Sequence, residues 1–242
     1  MPNALSPRRM THSLSALGML ADQPSSPSAT LSATLWQGAQ DLANAALESH
    51  FIQGIKDGTL NPNYYGQYTV QDVVYCHHGV EDWQAVATRA THPDMKSFAE
   101  ARVKSWVDYA QSLFDEWHIG DPSAITLSSA VRDYASFESD VARNFEPHYA
   151  VVVMLPCDRL WYWLATQIRP DAADPNSYAF WIKENGASDA GAKRLERFID
   201  THTDLIDESI ALDIYCRAML GEVNGFRSAG KQDLLDLSDF YE

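Results

Sequence analysis

Cysteine is scarce in this chain, cations are outnumbered, and no apolar run is long enough to span a bilayer. The three cysteines, Cys76, Cys157 and Cys216, are odd in number, far apart and without CxxC spacing. That pattern argues against a disulfide framework and against a zinc knuckle, and makes a reducing cytoplasm the expected location. Lys and Arg total 18 against 33 Asp and Glu, a formal net charge of −15. Nucleic acid and anionic membrane both reward clustered cations, so neither is an expected partner; a small neutral or cationic ligand suits this balance better. A spanning helix needs ~20 consecutive apolar residues, and no window supplies them. β-branched alternation is almost absent and there is no internal repeat, which leaves little room for strands or a solenoid.

What is present is helical periodicity over a chain of 242 residues, enough for one full hydrophobic core. The N-terminus has Arg8-Arg9 followed by an apolar segment, Met10 to Ala21, too short and too interrupted to read as a secretory signal. Residues 22–29 read as a linker or surface arm. The expected division is an arm over 1–31, a helical domain over 32–225 and an acidic tail over 226–242. A first helix runs from Ser32 with Leu35, Trp36, Ala39, Leu42 and Ala46 inward, and stops at Asp57-Gly58. Further helices are predicted from Tyr64 to about Val80, Met95 to His118, Ser123 to Asn144, Pro147 to Ile168, Ser177 to Glu184, and Asp189 to about Leu220. Long helices with short connections and no convincing strand predict a single-domain all-α bundle.

Two carboxylates fall on apolar stripes. In the second long helix Tyr65, Tyr68, Thr69, Asp72, Tyr75 and Cys76 share a face at helical spacing, so Asp72 points where an apolar residue belongs. In the last helix Ile199, Ile206 and Asp213 recur every seven residues, which aims Asp213 at the core as well. An unpaired buried carboxylate costs several kcal/mol, so each needs a core partner such as Tyr, Trp or Arg, a raised pKa, or a polar ligand. The apolar run His148 to Val153 continues into Met154-Leu155-Pro156-Cys157-Asp158-Arg159. Pro156 removes a helical N–H and its ring crowds the carbonyl of Val152, loosening the helix one residue before the thiol. Free cysteines are ordinarily small core hydrophobes, and Cys76 and Cys216 are read so. Two acids with Cys157 on a third apolar helix point to a site.

His77-His78 with Glu81 and Asp82 does not make a metal site, because adjacent helical histidines diverge by ~100°. His78 with Asp82 remains a possible pair, better read as helix packing. No paired Glu-x-x-His signature of a di-iron bundle is present.

These residues resemble the TenA-type thiaminase II family, of heme-oxygenase-like all-α fold, from about Leu35 to Leu220. The resemblance is sharpest at Phe51 to Leu60, at Tyr68-Thr69-Val70-Gln71-Asp72-Val73-Val74-Tyr75, at Leu155-Pro156-Cys157, and at Tyr134 and Tyr178. It implies an aminopyrimidine aminohydrolase with Cys157 as nucleophile, Asp72 holding the amino and ring-nitrogen edge of the pyrimidine, and Tyr75 and Tyr134 orienting thiol and ring. Tyr178 would close the pocket, with Tyr68 and Trp161 also lining it. The family's last-helix acid is a glutamate; Asp213 is expected in its place. No cofactor and no metal are implied, and a homo-oligomer, dimer or tetramer, is. Trp161, Asp213, Cys216-Arg217 and Asp158-Arg159 depart from the family pattern, which keeps two alternatives open: an enzyme of this fold with another substrate, and a non-catalytic ligand-binding or regulatory protein.

Overall fold

The computed structural model describes residues 29–241, and among these every regular element is helical. In chain order the α-helices are α1 Leu31–Gly38, α2 Gln40–Leu47, α3 His50–Lys56, α4 Pro62–Arg89, α5 Pro93–Glu116, α6 Ser129–Asn144, α7 Tyr149–Ile168, α8 Ala179–Asn185, α9 Ala190–Thr201 and α10 Glu208–Ala229. The all-α single-domain expectation holds. The proposed arm lies almost wholly outside the described residues.

Local chemistry fixes most boundaries. Ser49, Asn61, Ser128 and Asp207 each accept a backbone N–H at the start of α3, α4, α6 and α10. Pro62 and Pro93 sit in the first turns of α4 and α5, where their missing N–H leaves no helical bond unmade. The predicted first long helix breaks twice, at Ala39 and at Glu48-Ser49. Gly58 ends α3 with φ +69, and Thr59 and Leu60 turn their N–H groups back onto the Gly54 carbonyl.

α7 is the axis of the bundle. Its residues from Tyr149 to Pro156 are all buried, as a helix that is apolar all round must be. α6, α9 and α10 pack on it, and α4 lies along α5 and α6. Asp158 and Arg159, charged residues on this otherwise apolar helix, each reach an opposite charge: Asp158 lies 3.6 Å from Arg102 of α5, and Arg159 pairs with Glu196 of α9 while covering the Trp36 ring at 4.4 Å. None of the described helices is long and apolar enough to cross a membrane.

The predicted last helix is two helices. α9 ends at Thr201, a short 3-10 turn follows at Thr203–Leu205, and α10 starts afresh at Glu208 and runs on to Ala229. It therefore passes through the expected tail boundary at 226. The tail itself folds back on the body: Asn224 and Leu235 exchange side-chain and backbone hydrogen bonds, and the Tyr241 hydroxyl donates to the Gly38 carbonyl at 2.9 Å.

Candidate active site

The chemistry-bearing residues converge between α4, α6, α7 and α10. Tyr68, Asp72 and Tyr75 lie on one face of α4, Tyr134 on α6, and Gly221, Glu222 and Gly225 on α10; together they wall most of a cavity of about 30 Å³. That volume admits a water-sized guest, so a ring-sized ligand requires side chains to move. Gly221 is needed for the close approach of α10 to α6: a Cβ there would sit 2.3 Å from the Tyr134 ring. At Gly225 an added Cβ would meet nothing among the described residues within 4 Å.

Glu222 is the hub. It is 6% exposed, and its carboxylate accepts from the Tyr134 hydroxyl at 3.1 Å and from the Trp161 indole N–H at 3.0 Å. Burial pushes its pKa up from 4.5 to about 7, against the lowering pull of Trp161, Tyr134 and the neighbouring Cys157 thiol. Asp72 is pushed from 3.8 to about 7 by burial and by the Glu222 charge. A third acid, Glu138 of α6, is 2% exposed, accepts from the Tyr75 hydroxyl at 2.8 Å, and is held well above the usual carboxylate range by burial. Tyr75 and Tyr134 stack with centroids 5.2 Å apart, so the two hydroxyl-acid pairs lie side by side. Among the described residues no Lys or Arg lines the cavity. Three desolvated acids without a cation cannot all ionise, and near neutral pH the group holds and exchanges protons.

Cys157 is partly buried, and its thiol is raised well above its usual value, by burial first and then by Glu222, Asp158, Cys76 and Asp72. It is a thiol, not a thiolate, until a base takes its proton. The Tyr109 phenol of α5 shares this neighbourhood: although the residue is 51% exposed, burial of its hydroxyl and the charges of Cys76, Asp72 and Cys157 raise it. Trp161 reaches from α7 into an aromatic layer with Tyr68, Trp181 and Phe226, at centroid separations of 5.9, 5.8 and 5.7 Å.

The structure thus brings Tyr68, Asp72, Tyr75, Tyr134, Cys157 and Trp161 together, and leaves two expected residues elsewhere. Asp213 is on the solvent face of α10, its side chain 58% exposed and paired with Arg217 one turn on at 3.1 Å. The seven-residue repeat that aimed it inward was counted across residues 202–207, where the helix breaks and the register restarts. The last-helix acid of the pocket is Glu222, nine residues further along. Tyr178 is absent from the cavity wall: it packs 5.2 Å from Tyr65 and donates to the Leu60 carbonyl at 2.8 Å. His78 does not pair with Asp82; Asp82 turns to Ser139 and Arg143 of α6, and His78 lies 3.8 Å from Glu81.

The sequence reading passed over Glu222 and Glu138. Both carried the signal that flagged Asp72. Glu138 falls one turn after Tyr134 and one before Ala142 on the buried stripe of α6, and Glu222 falls between Ala218 and Phe226 on that of α10.

Fold and site define a helical bundle with a thiol and an acid cluster at its centre, and comparison with known proteins narrows that class. The chain belongs to the TENA/THI-4/PQQC family, whose match spans residues 36–212 and stops short of Glu222. It is 26% identical over 171 residues to the aminopyrimidine aminohydrolase of Halalkalibacterium halodurans, covering 64% of this chain and 72% of that one. A TenA family transcription regulator from Silicibacter sp. TM1040 superposes with a TM-score of 0.73 at 17% identity, over 84% of this chain and 98% of that one. A TenA homologue from P. horikoshii OT3 does so with a TM-score of 0.70 at 18% identity, over 84% and 99%. At such identities the two structures speak for the fold.

Proposed function

We propose that the protein is a thiamine-salvage hydrolase that converts an aminomethylpyrimidine, or thiamine at the same bond, to the hydroxymethylpyrimidine. The observation that carries this reading is the clustering of Cys157 with Asp72 and Glu222, two acids poised near neutral pH in a cavity that no cation among the described residues lines. Such a wall favours a ligand that brings N–H donors and accepts a proton, which the amino and ring-nitrogen edge of an aminopyrimidine does. The name of the Halalkalibacterium halodurans relative agrees with this substrate class.

In the proposed reaction Asp72 binds that edge, and transfer of its proton to the ring nitrogen makes a ring carbon electron-poor. Glu222, as carboxylate, takes the Cys157 proton while the sulfur adds to that carbon. The amine leaves the exocyclic methylene with the proton from Glu222. Water then adds at the methylene and gives a proton to Glu222, the sulfur departs and takes that proton to re-form the thiol, and the ring nitrogen returns its proton to Asp72. For the aminomethylpyrimidine the net change is water in and ammonia out; for thiamine the thiazole leaves in place of ammonia. Tyr134 and Trp161 hold the Glu222 carboxyl in place throughout, and Tyr75 is held by Glu138.

Incubation with thiamine and, separately, with the aminomethylpyrimidine, followed by mass spectrometry, tests the proposal. Hydroxymethylpyrimidine that forms with the native chain and not with Cys157→Ala supports it; no product from folded protein overturns it. A second reading, binding without turnover, draws on the raised Cys157 thiol. It predicts saturable binding of the same compounds with no product.

A further inference from the structure

Away from the acid cluster, three side chains meet where the start of α5 passes the end of α9. His92 precedes α5 and its side chain makes no cap, Asp94 lies in the first turn of α5, and His202 closes α9. One ligand-capable atom from each lies within 4.8 Å of the others. We propose that His92, Asp94 and His202 form a binding site for a divalent transition-metal ion, zinc foremost, that ties the α9 terminus to the start of α5.

The tautomer of His202 carries the argument. Its Nδ1 faces the Phe198 carbonyl at 2.8 Å, and a carbonyl only accepts, so Nδ1 bears a hydrogen. The neutral ring then directs the lone pair of Nε2 at Asp94, whose Oδ2 is 3.4 Å away. Two acceptors facing each other at that distance suit a shared cation. Ligands on one tetrahedral ion at about 2.0–2.1 Å stand roughly 3.3–3.4 Å apart, so the existing separation already suits a shared metal. His92 supplies the third ligand, its ring edge-to-face with His202 at a centroid distance of 5.6 Å.

The surroundings also suit a metal. The His202 ring stacks on Phe198 at 4.1 Å, so its direction is fixed before any ion arrives, and the hydrogen bond from Nδ1 to a carbonyl is the support that metal-binding histidines ordinarily have. The carbonyl end of α9 adds partial negative charge. Two imidazoles and a carboxylate of borderline softness select zinc, nickel or copper over magnesium or calcium. The exposure of His92 and Asp94 leaves room for water as the remaining ligand.

The test is titration of the metal-free full chain with zinc chloride by calorimetry, with thermal melting in parallel and cobalt as a spectroscopic probe. Expected are one saturable site, a rise in Tm with zinc, and a cobalt spectrum without a thiolate charge-transfer band. His92→Ala and Asp94→Asn, at exposed positions that leave the core intact, weaken binding by at least the ~10–100-fold that losing an outer-shell partner costs, and abolish the Tm rise. Cys157→Ser leaves both unchanged. No saturable zinc binding, or binding that survives His92→Ala and Asp94→Asn but is lost in Cys157→Ser, overturns the proposal.

Discussion

Replacing Glu222 by Gln tests the energetics of the buried acid directly. In the folded chain the carboxyl holds its proton up to about pH 7, whereas unfolding returns it to its ordinary 4.5. Between those two values the folded state binds more protons than the unfolded state, so this group's contribution to stability is full below about 4.5, falls as pH rises, and is spent above about 7. A rise from 4.5 to about 7 corresponds to about 3 kcal/mol. Gln mimics the protonated acid. Trp161 can only donate, so its indole stays on the amide oxygen, and the Tyr134 hydroxyl turns to accept from the amide NH₂.

Glu222→Gln is therefore expected to match the native chain near pH 4 and to exceed its stability near pH 8 by about 1–3 kcal/mol, the lower figure allowing for coupling to Asp72. Urea unfolding of both proteins at the two pH values provides the comparison, because titrations common to both cancel in the difference. The same substitution removes the group proposed to move the Cys157 proton, so turnover should fall about 10²–10⁴-fold while the protein becomes more stable. A stability difference that does not grow with pH would refute the account of a desolvated, proton-holding Glu222.

Asp213→Ala should change stability by no more than about 0.5 kcal/mol and leave turnover unaltered, since it removes only an exposed i,i+4 ion pair; a large loss of activity would return Asp213 to the site. Gly225→Ala should stabilise α10 by about 0.5–1 kcal/mol and raise KM with little change in kcat, because the new methyl projects into the space a ligand would fill; steady-state kinetics and urea unfolding check both parts. Alkylation of Cys157 by iodoacetamide, followed by peptide mapping to separate it from Cys76 and Cys216, should be slower at neutral pH than that of a free cysteine and rise about tenfold per pH unit, and a plateau below pH 8 would show that the thiol is already ionised.

The sequence disclosed the bundle because α7, α4 and α6 are long, uninterrupted and one-sided or wholly apolar, and a run such as Tyr149 to Pro156 has no other stable placement. The α4 part of the site was legible for the same reason: within one unbroken helix, three- and four-residue spacing fixes direction, so Asp72 falls where Tyr68 and Tyr75 fall. Asp213 shows the limit of that logic. Periodicity carries direction only while the chain stays helical, and the turn from His202 to Asp207 joins residues that separate α9 from α10 without a strong breaker: it contains neither Gly nor Pro. What does mark the restart is Asp207, whose side chain accepts the Ile210 N–H as an N-cap. Counting afresh from that cap puts Ala211, Ile214, Tyr215, Ala218 and Glu222 on one stripe, all of them buried, and Asp213 off it. The glutamate was therefore visible to the rule that found Asp72, once the cap was given precedence over the longer repeat.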